Sequence, residues 1–236
     1  MASIFATSVL VAGVLVAGCS QAPAGQSRPT QLTPITPSRG QSTPPASPPS
    51  ASPATTPAAD APDAPAPGAP ITAATGWVQA AGPADAADYN VALRGGTSTD
   101  LGTDVAFTTT SGISCMTDAK RGPGLACLVD LDDPPPQPPD IYGAWKGGWV
   151  DFDGTRVAVG SAHADPGRFA AGQGAPLPPD RSLSFGDFRC RADATALVCV
   201  NFAHQTAVRY SDAGIDPVGC TRESPPGAGI GIEFRC

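Results

Sequence analysis

The chain has 236 residues, a formal charge of −7, 28 prolines, 27 glycines and 7 cysteines. Its acidic balance gives no electrostatic footing for nucleic acid or for a polybasic membrane patch. Large aliphatic and aromatic residues concentrate in the C-terminal part, where about 165 residues are enough for one core. No internal repeat stands out.

The first element in chain order is an apolar run from Ile4 to Gly18. At about fifteen residues it is short for a bilayer core of about 30 Å and suits a signal-peptide core. No Lys or Arg precedes it and the first basic residue is Arg28, a departure from the usual positive n-region. The run closes on Val16-Ala17-Gly18-Cys19. That tetrad resembles the lipobox of bacterial lipoproteins. The resemblance implies that residues 1–18 are a signal peptide and that Cys19 carries the acyl (palmitate-type) anchor. The membrane is then a partner through that anchor, at the outer face of the cytoplasmic membrane. Two or three acyl chains hold a protein stably where one does so only marginally.

Residues 19–70 are mainly Pro, Ala, Ser, Thr, Gly and Gln. Such a segment cannot bury enough apolar area to offset roughly 1–2 kcal/mol of backbone entropy per residue. It is expected to be a disordered, Pro-rich tether, reaching about 40 Å as a flexible coil and about 150 Å fully extended.

Residues 71–236 form the expected domain, and its signals are short strands. Asp104–Thr109 reads as one. Trp149–Phe152 is another, with Val150 and Phe152 on one face. Asp153-Gly154 then predicts a tight hairpin into Thr155–Val159, with φ > 0 at both central turn positions. Ser184–Cys190 and Ala196–Phe202 read as a second pair joined by Arg191–Thr195, a turn of unclear type. Thr206–Tyr210 adds a further strand. Helical periodicity is weak, with hints only near Ala81–Tyr89. The expected fold is mainly β: a small antiparallel sheet or barrel-like domain stapled by three local disulfides.

The odd cysteine count follows from the lipobox, which withdraws Cys19 and leaves Cys115, Cys127, Cys190, Cys199, Cys220 and Cys236. Six cysteines outside the cytosol make a three-bridge framework, with fifteen conceivable pairings. Sequential pairing fits best. Cys115 and Cys127 flank Gly122-Pro123-Gly124, Cys190 and Cys199 flank the second hairpin, and Cys220 and Cys236 enclose Pro225-Pro226-Gly227. No Cys-x-x-Cys occurs, so these residues do not read as metal ligands.

Ser111-Gly112-Ile113-Ser114-Cys115, Leu125-Ala126-Cys127, Phe188-Arg189-Cys190 and Leu197-Val198-Cys199-Val200-Asn201 together resemble small secreted and lipid-anchored proteins of mycobacteria and related actinobacteria. The likeness covers roughly Val105 to Tyr210. It implies an envelope location and disulfides, and carries over no catalytic residue.

Candidates for chemistry are few. His163 and His204 are the histidines, and His204 could join Asp187 or Asp193 and a serine in a triad. No Gly-x-Ser-x-Gly or Ser-x-x-Lys motif nominates the nucleophile. Asp130, Asp132 and Asp133 lack calcium-loop spacing. Asp151 and Asp153 read as the solvated side of a hairpin. Tyr142, Trp145 and Trp149 cluster near glycines, as a sugar-stacking platform would, although core packing is the commoner fate of such residues. Trp145, Trp149 and His204 are the candidate ligand contacts. No catalytic residue, metal ligand or cofactor is assigned. The sequence reads as a noncatalytic, lipid-anchored envelope protein that binds a protein or glycan partner. The alternatives are a cell-wall hydrolase using His204 with nearby acids and a lipid-carrying envelope module.

Overall fold

A computed structural model of the chain describes residues 63–162, 167–219 and 222–236. These belong to one compact unit, Thr55–Cys236. The expected leader, Cys19, most of the expected tether, His163 and Cys220 lie outside the described residues.

The first described element is α1 (Ile71–Ala80). The first strands are β1 (Gly82–Pro83), β2 (Val91–Arg94), β3 (Thr97–Asp100), β4 (Ala106–Thr108), β5 (Ser114–Asp118), β6 (Gly122–Leu128), β7 (Lys146–Phe152) and β8 (Arg156–Ser161). They continue as β9 (Ala175–Pro176), β10 (Arg181–Phe185), β11 (Phe188–Ala192), β12 (Leu197–Asn201), β13 (Thr206–Ser211), β14 (Gly214–Val218), β15 (Arg222–Ser224) and β16 (Ile230–Arg235). Short 3-10 turns occupy Ala86–Tyr89 and Gly167–Ala171. Among the described residues no helix is long and apolar enough to cross a membrane.

The mainly β, antiparallel expectation holds, and it takes the form of two large sheets and a separate two-stranded hairpin, β2-β3. One has six strands in the order β1-β10-β11-β12-β13-β14, the other eight in the order β15-β16-β8-β7-β6-β5-β4-β9. Each contains a five-strand antiparallel meander, β4–β8 in one and β10–β14 in the other. The first strand of each meander is closed by a parallel two-residue strand from upstream of the other: β9 on β4, and β1 on β10. The inner faces meet in a shared core that includes Phe107, Leu125, Val150, Phe152, Leu183, Leu197, Val208 and Tyr210. Val150 and Phe152 point inward together, as their alternation predicts.

Two of the expected cystines lie inside this core. Cys115 is directly opposite Cys127 on β5 and β6, and Cys190 opposite Cys199 on β11 and β12. Both pairs are bonded, with Cα atoms 4.1 Å apart. Cys236 is also disulfide-bonded, and its expected partner Cys220 lies outside the described residues.

The outer faces have different covers. α1 lies on the six-stranded sheet, with Ala74, Trp77 and Val78 against Val198, Val200, Ala207 and Val218. Strand β12 is therefore buried on both sides. Arg191, 3% exposed, holds the helix down: its Cζ is 4.3 Å from the Trp77 ring centroid and its Nη1 donates to Trp77 O at 2.8 Å. Burial lowers the Arg191 pKa, with Asp193 and Asp180 opposing that shift. On the eight-stranded sheet Ala106, Met116, Ala126 and Trp149 pack with Ala92 of β2 and with Phe169.

Several local expectations are corrected. α1 lies upstream of the stretch with helical hints, and only Ala86–Tyr89 turns there. Ala74, Trp77 and Val78 have the i, i+3, i+4 spacing of a buried stripe, but Thr72, Thr75 and Gly76 dilute the helical signal. Ser184–Cys190 is not one strand. It folds back at Gly186-Asp187, with Phe185 paired to Phe188 and Gly186 at φ 49°. The Asp153-Gly154 turn has positive φ only at Gly154, 99°. Its closure comes from Asp153 Oδ1, which accepts from Thr155 N, Thr155 Oγ1 and Arg156 N at 2.8–3.0 Å. Asp193 Oδ1 makes the same three bonds, to Thr195 N, Thr195 Oγ1 and Ala196 N, between β11 and β12. The second turn is thus an Asp-x-Thr turn like the first. The other Asp193 oxygen accepts from Ala64 N at 2.6 Å, so residues grouped with the tether by composition already touch the sheet. Burial would raise the Asp193 pKa, but the bonds from Thr195, Ala64 and Ala196 outweigh it and hold the carboxyl below its ordinary value.

Candidate functional site

Four hairpin turns gather at one end of the sandwich: β5–β6, β7–β8, β10–β11 and β12–β13. Thr206 Oγ1 donates to Gly154 O at 2.5 Å, and Phe202 N donates to Asp187 O at 2.9 Å. These bonds tie three of the turns together. The fourth, β5–β6, forms with the β10–β11 turn a mostly apolar cleft of about 270 Å³.

The Phe185-Gly186-Asp187-Phe188 hairpin builds one wall. A two-residue turn places its flanking residues directly opposite each other, and here the Phe185 and Phe188 rings stack with centroids 5.6 Å apart and planes 13° apart. The core braces both. Phe188 meets Phe152 edge-on at 5.4 Å, and Phe185 lies 6.4 Å from Phe107. Gly122, Pro123 and Gly124 make the facing wall. Asp104 and Asp187 stand at the cleft. Asp104 Oδ1 is held by Thr117 Oγ1 at 2.8 Å and by Ala119 N at 3.0 Å. The exposed Asp187 side chain is open to a ligand. Among the described residues the lining contains no histidine, cysteine, serine or lysine. The cleft can stack an apolar ring face and accept hydrogen bonds at its rim.

The candidate ligand contacts read from the sequence lie elsewhere. Trp149 is 1% exposed, edge-on to Phe169 at 5.3 Å, with its indole N–H donating to Asp151 Oδ2 at 2.9 Å. It belongs to the core, because its strand position points it under the cover of the eight-stranded sheet. Asp151 is accordingly half-buried, and Asp153 sits in the turn instead of on a solvated strand face. Trp145 is half-buried, donating to Pro135 O at 3.1 Å. It lies over Gly160, whose φ is 75° and where a Cβ would come 2.7 Å from the ring. Tyr142 alone of this trio is exposed, at 92%. The three form no common platform.

His204 sits on the exposed β12–β13 turn. Its backbone N–H donates to Asn201 Oδ1, and its ring edge faces Gly154. Among the described residues its imidazole makes no hydrogen bond to a carboxylate or hydroxyl, so no triad assembles around it.

Among the described residues Glu233, on β16, is the most buried carboxylate. Arg156 Nη2 donates to it at 3.1 Å, Gly227 N at 3.2 Å, and Arg235 Nε more closely still. Burial would raise its pKa, but these donors together outweigh it, and Glu233 stays below its ordinary value. It is a charged structural anchor and not a proton donor at neutral pH.

No protein-family model, curated protein or solved structure matches this chain.

Proposed function

We propose that the protein is an exported lipoprotein, anchored through Cys19 at the outer face of the cytoplasmic membrane, whose β domain binds an envelope partner without catalysis. The observation that carries the binding reading is the Phe185–Phe188 cleft: a stacked aromatic wall, braced from the core and open at the end of the sandwich. Pre-formed clefts with an apolar face and few polar groups are the usual form of ligand sites. A sugar ring fits this chemistry well, with its C–H face on the phenyl rings and its hydroxyls donating to Asp187. A glycan is therefore the partner favoured over a protein. Two cystines buried in the core support an oxidising compartment. They join the lipobox likeness in supporting the address. The likeness to secreted actinobacterial proteins belongs with the same proposal.

Phe188→Ala tests the cleft. Oligosaccharides released from envelope glycan should bind the unaltered protein saturably by calorimetry and lose about two- to tenfold in affinity to the variant, since one stacked aromatic contributes about 0.5–1.5 kcal/mol beyond its buried area. Undiminished binding by a folded variant would remove the cleft from the proposal. Mass spectrometry of the protein from its native membrane tests the anchor, and an unmodified Cys19 would refute it.

A further inference from the structure

Beside the aromatic cleft, and sharing Gly122 and Pro123 with it, lies a second depression of about 290 Å³. Its character is different. Arg121, Arg156 and Arg168 all line it, although the chain has only 14 basic residues and is acidic overall. Asp151 and Asp153 line it too.

Each carboxylate around this depression already accepts from a donor of the protein, two of them from site arginines. Asp153 Oδ1 closes its own turn, and Asp151 Oδ2 accepts from Trp149. Asp118 holds Arg121 at 3.1 Å, and Glu233 holds Arg156 Nη2 at 3.1 Å. The guanidinium donors are not all used. Arg156 Nε and Arg168 Nη1 are buried atoms without a hydrogen-bond partner. Among the described residues Arg168 makes no ion pair. Buried donors are nearly always met, and unmet ones on half-buried arginines that line a hollow leave room for an acceptor from outside the chain, reached by a small turn of those side chains. Two such donors belonging to cations, with a third arginine at the rim, select a negatively charged acceptor, because a guanidinium fork matches the oxygens of phosphate and carboxylate.

We infer that this depression is a binding site for an oxyanionic group, a phosphodiester or a carboxylate, held by Arg121, Arg156 and Arg168. The inference does not depend on what fills the aromatic cleft, although one ligand could reach both through the shared Gly122-Pro123 wall. Envelope polymers supply the chemistry from two sources, phosphodiester links and acidic sugars.

The test titrates the oxidised full chain in detergent with dimethyl phosphate and, separately, with glucuronate, at ionic strength held constant by sodium chloride. Saturable binding of either probe is expected, and the one that binds identifies the source. Arg168→Gln should weaken it about tenfold, the effect of one charged hydrogen bond. Arg121 is largely exposed and Arg121→Gln leaves the fold intact. It should weaken binding by a smaller factor, and Arg121→Lys should restore part of the loss. Absence of saturable binding by both probes would overturn the inference. So would binding unchanged in both glutamine variants.

Discussion

The two sheets are built alike on the inside and differently on the outside. Each is a five-strand meander with a cystine between its second and third strands, and all four half-cystines enter one core. Outward, the six-stranded sheet presents Val198 and Val200 to an apolar helix, so β12 has no wet side. The eight-stranded sheet carries Asp151, Arg156 and Glu233 outward under a partial cover. An inner face must fill volume and is constrained towards apolar side chains whatever the protein does. The outer face is where the sheets are free to diverge. Here one is sealed by a helix, and the other carries the charged depression.

The largest expected effect tests the helix-sealed sheet. Trp77→Ala removes the ring beneath Arg191 and the main contact of α1. It should cost about 3–5 kcal/mol in chemical denaturation, and a loss under about 1 kcal/mol would mean that the helix is not an essential cover. Next come the cystines, which ask whether the two inner faces are equivalent. The Cys115–Cys127 and Cys190–Cys199 bridges close chain separations of 12 and 9 residues, so removing either by Cys115→Ala/Cys127→Ala or Cys190→Ala/Cys199→Ala should cost about 2–4 kcal/mol and to a similar degree. A gap much wider than about 1 kcal/mol would break the comparison.

The smallest effect sharpens the difference between the outer faces. The folded pKa of Glu233 is below its ordinary value of 4.5. Its contribution is therefore full above the unfolded pKa and is lost as pH falls through the folded value. Glu233→Gln should cost about 2 kcal/mol near neutral pH and progressively less in acid, so the stability–pH profiles of the two proteins converge below pH 4.5. Parallel profiles would show that Glu233 is not the charged anchor described here.

Much of this fold was legible, in identifiable ways. Val150 and Phe152 alternate and do face the core. Both described bridges follow from cysteines flanking hairpin turns, because antiparallel pairing puts such residues opposite each other. What escaped reading was shorter or more diluted. The closing strands Gly82–Pro83 and Ala175–Pro176 have two residues each, too few for any period. α1 hides its stripe among threonines and a glycine. The aromatic cleft hangs on a single local signal: Gly186-Asp187 is a hairpin turn inside an otherwise strand-like run, and only the turn brings Phe185 opposite Phe188. The repeated Asp-x-Thr at Asp153 and Asp193 was also there to be found. Trp145 and Trp149 drew attention by composition alone, and composition does not say which side of a strand an indole occupies.

The crossed closing strands have a further consequence, in time. The chain is made from its N-terminus, so β1 exists long before β10, the strand it will flank. Conversely, β4 waits with one edge open until Ala175–Pro176 has been made. The first meander is closed by the connection that leads to the second, and the second by a strand made before either. The halves are latched to each other, and a fragment ending after β8 would present a bare edge ready to pair with a neighbouring chain.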